Sequence, residues 1–358
     1  MAQSRLGSAL DTGVEYRVFV DREWYHRERR LLWEGPVWVA LALEAECPPG
    51  RSYSTFFGDR PAWVEQDGSG GWTARLADGR PLKVTAFQGV LFASGSANPP
   101  ALAEYLGPRT MRYLERIFSR PIEVLGHHHQ AIDANWKLYA ENVRDQYHAG
   151  LLHRFYQVFG INRVSQRGEV YLDGPGWHHV LAVWRGDEDP TDRAAVEREH
   201  NYRGAGAWQL SDASLLAVET EFDDGVTQQI QTVFPNLVVQ QIGNTLAIRR
   251  IVPQGPQAMD LWWTYFGYRD DSLSLRRKRL LQANLIGPGG LVSMEDAEAV
   301  ECVQRAIASD PRGRSIMAMG GREVADSPHR FTETAVRGFW RGYQELMQIQ
   351  APPATRGA

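Results

Sequence analysis

Asp145, His148 and His153 fall within nine residues of one another, in the stretch Asn135-Trp136-Lys137-Leu138-Tyr139-Ala140-Glu141-Asn142-Val143-Arg144-Asp145-Gln146-Tyr147-His148-Ala149-Gly150-Leu151-Leu152-His153. The stretch otherwise reads as helix. Asp145 and His148 are three positions apart and share a helix face. His148 and His153 are five apart, about 140° around a regular helix, so their imidazoles converge on one point only where the helix breaks between them. Ala149-Gly150 is the expected break, because glycine relaxes helical geometry. Two imidazoles joined by a carboxylate from elsewhere make a facial triad, which holds mononuclear Fe(II) and leaves positions open for oxygen and substrate. The plainer alternative is a pair of satisfied core histidines beside an aromatic-rich helix.

Taken together, Asn-Trp-Lys, Glu-Asn and Asp-x-Tyr-His-x4-His resemble the iron-site helix of the Rieske non-haem iron aromatic ring-hydroxylating oxygenases, large (alpha) subunit. The resemblance runs from about Leu106 to Leu346 and is nearest to the branch acting on aromatic carboxylates, the terephthalate dioxygenase and salicylate 5-hydroxylase group. Arg116 to Glu123, Val238 to Leu246, Phe266-Gly267-Tyr268 and Gln282-Ala283-Asn284-Leu285 also carry it. It implies that His148 and His153 bind iron and that Asp145 joins the site to the electron-donating cluster of a neighbouring subunit. It further implies a third ligand from an acidic pair preceded by a Gly-rich stretch. Gly287-Pro288-Gly289-Gly290 and Glu295-Asp296 occupy those places, and the second acid, Asp296, is the implied ligand. Ser293-x-x-Asp296 also fits a capping box, in which Asp296 would reach back to the Ser293 amide.

An aromatic acid needs cationic anchors, and arginine's fork donates two parallel hydrogen bonds to a carboxylate. Strand periodicity over 244–253 puts Thr245, Ala247, Arg249 and Ile251 on one face and Leu246, Ile248 and Arg250 on the other, without saying which face meets the site. The positions matching substrate-binding arginines of the resembling branch are Arg249 and Arg337. For each, a surface salt bridge is the competing role.

The chain has 358 residues, 43% of them hydrophobic and 23% charged, which suits an ordinary globular protein with room for a large core or two domains. A formal charge of −4 gives no electrostatic case for nucleic acid. No apolar run reaches membrane-spanning length, and the N-terminus lacks a secretory segment, so a cytoplasmic protein is expected. The two cysteines, Cys47 and Cys302, have no histidine two or three residues on. A Rieske [2Fe–2S] centre requires two thiolates and two imidazoles, and this sequence is not expected to supply them. His127-His128-His129 is expected to be a partly exposed turn or strand end.

Along the chain, residues 14–33 predict a short extended piece and a helix capped by Asp21. Strands are expected at Val37–Leu43, Tyr53–Phe57, Ala62–Glu65, Trp72–Leu76 and Leu82–Ala93, with a hairpin at Asp78-Gly79. This β-rich part resembles a Rieske-type domain with its cluster loops missing. Asn98-Pro99-Pro100 marks the boundary, giving domains 1–98 and 99–350 and a disordered tail, 351–358. One amphipathic helix is expected over 101–118, strands at 170–172 and 177–184, a surface loop at 187–206, and strands over 227–242, 244–253 and 258–268. Helices close the chain near 273–285, 294–308 and 331–348. Antiparallel strands with covering helices define an α+β class, and the resemblance implies a helix-grip (START/Bet v 1-like) catalytic domain. The expected activity is O2-dependent hydroxylation of a monocyclic aromatic carboxylate. The implied partners are a Rieske-containing oxygenase subunit, a reductase or ferredoxin and a small beta subunit, in a trimer or mixed hexamer. A non-catalytic subunit of such a complex, and a plain ligand-binding helix-grip protein, are the alternatives.

Overall fold

The computed structural model describes residues 13–163, 165–186, 192, 194 and 210–348. The expected tail, and nearly all of the 187–206 loop, lie outside the described residues. After β1 (Val14–Glu15), helix α1 (Arg22–Glu28) begins where Asp21 accepts from the Glu23 and Trp24 amides at 2.8 and 3.1 Å. Six strands follow: β2 (Val39–Leu43), β3 (Tyr53–Phe57), β4 (Arg60–Gln66), β5 (Trp72–Leu76), β6 (Pro81–Phe87) and β7 (Val90–Ser94). They form an antiparallel sheet in the order β2-β7-β6-β5-β4-β3. The Asp78-Gly79 hairpin forms as expected, with Gly79 at φ +88°. The single strand expected over 82–93 is instead two, because Gln88 and Gly89 turn back at φ 51° and 77°. Two left-handed residues in succession match the twist of a tight hairpin.

The predicted 101–118 helix is likewise two, α2 (Leu102–Leu106) and α3 (Pro108–Ile117). Gly107 separates them at φ +79°, and a Cβ there would lie 2.7 Å from Asp173 Cγ. The same Asp173 accepts from the Thr110 amide at 2.5 Å, so the bend and the cap share one carboxylate. Next come β8 (Ile122–Ile132), the helices α4 (Trp136–Asn142), α5 (Tyr147–Leu152) and α6 (Arg154–Val158), and the strands β9 (Gly168–Asp173) and β10 (His178–Trp184). A meander of β11 (Val226–Val233), β12 (Leu237–Ile242), β13 (Thr245–Gly255) and β14 (Ala258–Tyr268) completes a seven-stranded antiparallel sheet, ordered β8-β14-β13-β12-β11-β10-β9. Helices α7 (Leu273–Ile286), α8 (Leu291–Ser309) and α9 (Thr334–Leu346) close the chain, with β15 (Arg314–Ser315) pairing back onto β1. The architecture is α+β.

The expected 227–242 strand is interrupted at Phe234-Pro235-Asn236. There the Asn236 side chain leaves its own sheet to bond both the amide and the carbonyl of Ala40 on β2, at 2.9 and 3.0 Å. His127-His128-His129 is not a strand end. It occupies the middle of β8, an edge strand, paired with Thr264, Trp263 and Trp262. The run tolerates three histidines because its outer side is open: His127 and His129 are exposed, and His129 stacks on Trp262 with ring centroids 4.4 Å apart.

Strands β12 and β13 are buried on both faces up to Pro253, so apart from Arg249 and Arg250 their buried residues are apolar, amide or hydroxyl instead of alternating with charge. One face of β13 meets the helices and the other meets the N-terminal sheet. Arg249 reaches Tyr139 of α4, while Arg250 reaches the Leu41 carbonyl at 2.6 Å and Thr55.

Candidate metal centre

His148 and His153 come together by a route that the sequence reading did not foresee. Ala149-Gly150 does not break the helix and lies inside α5. The helix is interrupted first over 143–146, between α4 and α5, and the backbone leaves helical geometry at His153, the C-cap residue with φ −87° and ψ 69°. Asp145 therefore stands just ahead of α5, where its Oδ1 accepts from the Tyr147 amide at 2.8 Å. With His153 on the cap, its ring swings back toward His148, and the two ring centroids lie 5.3 Å apart.

Asp296 meets them from α8. That helix starts at Leu291, so Ser293 and Asp296 are interior positions and the capping-box alternative falls away. His148 Nε2 and His153 Nε2 lie 3.3 and 3.2 Å from the same oxygen, Asp296 Oδ1. Ligand-capable atoms of the three residues all fall within 4.8 Å of one another. His153 and Asp296 are 4% and 5% exposed, so this is an interior constellation and not a chance surface cluster.

Each imidazole has its far nitrogen directed at a second carboxylate. His153 Nδ1 is 2.8 Å from Glu295 Oε2, and His148 Nδ1 is 3.5 Å from Asp145 Oδ2. Outer carboxylates of this kind fix ring orientation and raise the basicity of a metal-binding nitrogen. Asn142 of α4 donates to Asp296 Oδ1 at 3.2 Å. Burial alone would lower the His148 pKa, but hydrogen bonding and charge from Asp145 and Asp296 outweigh it and lift it to about 10. Burial would raise the Asp296 carboxyl, yet the two imidazoles hold it well below the usual range. Two neutralising imidazoles around a buried carboxylate are a donor set suited to a divalent cation, which binds in competition with protons.

Glu295 and Asn142 were missed as functional residues. For Glu295 a signal existed: neighbouring helix residues are about 100° apart, so an acidic pair can serve one site from two directions. Asn142 stood in the quoted Glu-Asn string without a role.

The centre opens onto an inner cavity of about 40 Å³, lined among others by Asn142, His148, His153, Tyr156, Arg249, Trp263 and Asp296. An outer cavity of about 280 Å³ shares Tyr156, Gln228, Ile242 and Ile286 with it and continues past Phe159, Arg163, Leu215 and Leu216. Arg249 is 5% exposed, lies over the Trp263 ring at 4.5 Å, and donates to Tyr139 Oη at 2.7 Å and to Gln240 Oε1. Both of those partners are neutral. Arg337 is not brought here. It is buried on α9 and donates to the carbonyls of Glu323 and Met319, each at 3.0 Å, because its helix face is turned to the 319–323 segment.

Sheet, helices and donor set together describe a protein with a buried two-histidine, one-carboxylate centre beside a cavity. The chain belongs to the ring-hydroxylating oxygenase alpha subunits: the family described as "Ring hydroxylating alpha subunit (catalytic domain)" matches residues 113–349. Its relatives are ring-hydroxylating oxygenases, which are oxidoreductases. It is 36% identical to the terephthalate 1,2-dioxygenase terminal oxygenase component subunit alpha 2 of Comamonas sp, over an alignment of 401 positions covering 95% of this chain and 96% of the relative. It is also 36% identical to the anthranilate 1,2-dioxygenase large subunit of Burkholderia cepacia, covering 93% of each. A naphthalene 1,2-dioxygenase from Rhodococcus sp. shares the fold at a TM-score of 0.76 and 19% identity, over 95% of both chains. Among the described residues, no helix is long and apolar enough to cross a membrane.

Proposed function

We propose that this alpha subunit hydroxylates a monocyclic aromatic carboxylate with O2 at a mononuclear Fe(II) held by His148, His153 and Asp296, with electrons from a Rieske cluster on a partner chain. The observation that carries the reading is the convergence of both Nε2 atoms on Asp296, while Glu295 holds the opposite nitrogen of His153 and Asp145 stands 3.5 Å from that of His148. Bound there, Fe(II) supplies the site at which dioxygen is activated for insertion into the ring. Asn142 orients the Asp296 carboxylate, and the burial of His153 and Asp296 keeps bulk water away. Arg249, buried with neutral partners, anchors the substrate acid, in keeping with relatives named for terephthalate, anthranilate and salicylate.

The N-terminal 98 residues serve as a Rieske-type domain without its cluster, ahead of a helix-grip catalytic domain. Two facts support this. The alignment of 401 positions exceeds the matched part of this chain by about 60, and β5 passes directly into β6 through the Asp78-Gly79 turn. Cys47 is buried beside the N-terminal sheet, donating to the Leu43 carbonyl, whereas Cys302 is exposed on α8. Asp145, with 28% of its side chain exposed, remains within reach of a neighbouring subunit. A reductase or ferredoxin and a small beta subunit, in a trimer or mixed hexamer in the cytoplasm, complete the proposal.

Reconstitution with Fe(II), followed by iron and acid-labile sulfide analysis, tests the metal assignment. One iron and no stoichiometric sulfide per chain is the expected result. His148→Ala should abolish uptake, and a wild-type protein that takes up no iron would overturn the assignment. Asp145→Asn should keep iron and substrate binding while nearly abolishing turnover with a cluster-bearing partner. Failure of the wild type with every such partner would favour the non-catalytic subunit.

A further inference from the structure

Tyr156 lies three residues beyond His153 on α6, is 6% exposed, and its hydroxyl has no hydrogen-bond partner among the described residues. Buried tyrosine hydroxyls ordinarily find one. This one stands in the wall shared by the inner and outer cavities. A phenolic hydroxyl is an O–H donor. Two further donors in the inner wall are also unpartnered, Arg249 Nε and Trp263 Nε1, both on residues at or below 5% exposure.

Tyr156 Oη, Arg249 Nε and Trp263 Nε1 can each donate, and the three residues line one cavity. Such a wall suits an occupant rich in acceptors and poor in donors, which is the character of a carboxylate. The Arg249 fork is already partly engaged. Nη1 and Nη2 already donate to Tyr139 and Gln240, leaving Nε as the nitrogen without a partner. A carboxylate that reaches Nε through one oxygen leaves its second oxygen open to a further donor. Tyr156 and Arg249 both line the inner cavity, so the phenol and the guanidinium belong to one neighbourhood.

Resting on the aromatic-acid reading above, we propose that Tyr156 is the second carboxylate donor of the site: the substrate acid bridges the Tyr156 hydroxyl and Arg249 Nε. Tyr156 thereby becomes a determinant of specificity for acids over neutral rings. It also fixes where the acid sits, at the junction of the two cavities, with the ring directed inward to the metal centre.

The test uses the full-length protein loaded with Fe(II), with benzoate and benzamide as probes in titration calorimetry. Tyr156→Phe removes the hydroxyl and keeps the ring. It should weaken benzoate binding by about 10- to 100-fold, the loss typical of a hydrogen bond to a charged group, and leave benzamide nearly unchanged. Because the hydroxyl has no protein partner, the ligand-free variant should melt no lower than the wild type. A purely structural tyrosine would give the opposite pattern, a lower melting temperature with the benzoate-to-benzamide ratio intact, and that result overturns the proposal. Wild-type binding of benzamide as tight as benzoate overturns the aromatic-acid reading itself, and this proposal with it. Benzoate selectivity that disappears in Arg249→Gln but persists in Tyr156→Phe overturns the role of Tyr156 alone.

Discussion

Two buried arginines, Arg279 on α7 and Arg249 on β13, are treated in opposite ways. Arg279 is 1% exposed and fully matched. Its Nε meets Asp271 at 2.7 Å, Nη1 meets the Asn244 carbonyl at 2.6 Å, and Nη2 meets Glu221 and Asp271. Charge and geometry both close, and hydrogen bonding with two carboxylates overcomes burial to raise its pKa. Arg249 is nearly as buried yet has a tyrosine, a glutamine and an aromatic face for company, with Nε unmet. Burying a charge is costly unless it is paired. The first arginine is architecture; on the function proposed above, the second keeps a place for a partner that arrives from outside.

That contrast can be broken by mutation. Arg279→Ala should cost about 3–5 kcal/mol of stability, because Asp271 and Glu221 are left buried without their cation. Denaturant unfolding measures it, and a loss below 1 kcal/mol would show the cluster to be dispensable. Arg249→Ala should barely lower stability but cost about 2–5 kcal/mol of aromatic-acid binding. If it instead destabilised the ligand-free protein as much as Arg279→Ala, the two arginines would be alike and the contrast false.

A smaller effect is expected next to the metal. Glu295→Gln should weaken metal binding about 10- to 100-fold, as loss of an outer carboxylate does, with stability unaffected. Competition with a chelator reads the affinity, and an unchanged value would make the 2.8 Å contact to His153 incidental.

The smallest effect concerns a matched histidine far from any ligand role. His178 accepts from the Phe234 amide at 3.0 Å and faces the Tyr105 carbonyl at 2.8 Å, and burial pushes its pKa down to about 3. The unfolded chain binds a proton near pH 6.5 that the folded one refuses. Stability is therefore undiminished above about pH 6.5 and declines as pH falls toward 3, at up to about 1.4 kcal/mol per pH unit from this residue. His178→Gln should flatten the slope between pH 7 and 5. An unchanged slope would assign the acid lability to other groups.

The chemistry was more legible than the geometry. His148 and His153 were picked out by residue type and spacing and Asp145 and Asp296 through the family resemblance, and the fold brings His148, His153 and Asp296 within 4.8 Å of one another. The break that brings the imidazoles together was misplaced to Ala149-Gly150, because glycine's freedom is a local property. The real break at His153 is set by contacts with Glu295 and Asp296, more than a hundred residues away. Arg337 failed for a similar reason: its helix was expected, but nothing in the sequence says that its face turns to the carbonyls of Met319 and Glu323. Hairpin chemistry at Asp78-Gly79 was read correctly because it is local, while Gln88 at φ 51° hid a turn behind a residue seldom found in that conformation. The alternation of Arg249 and Arg250 was equally plain, and only tertiary packing could tell which one looks into the cavity.

Because those two arginines are adjacent, β13 faces two ways at once. Arg250 is tied to Leu41 and Thr55, and Asn236 completes the backbone of Ala40. The N-terminal sheet thus serves as the outer wall of the strands that carry the cavity. Cutting the chain near Ala101 to isolate the metal-centre half would bare a continuous apolar and amide-rich sheet face to water. Such a fragment should be insoluble, because the N-terminal sheet is masonry for the half that carries the metal centre.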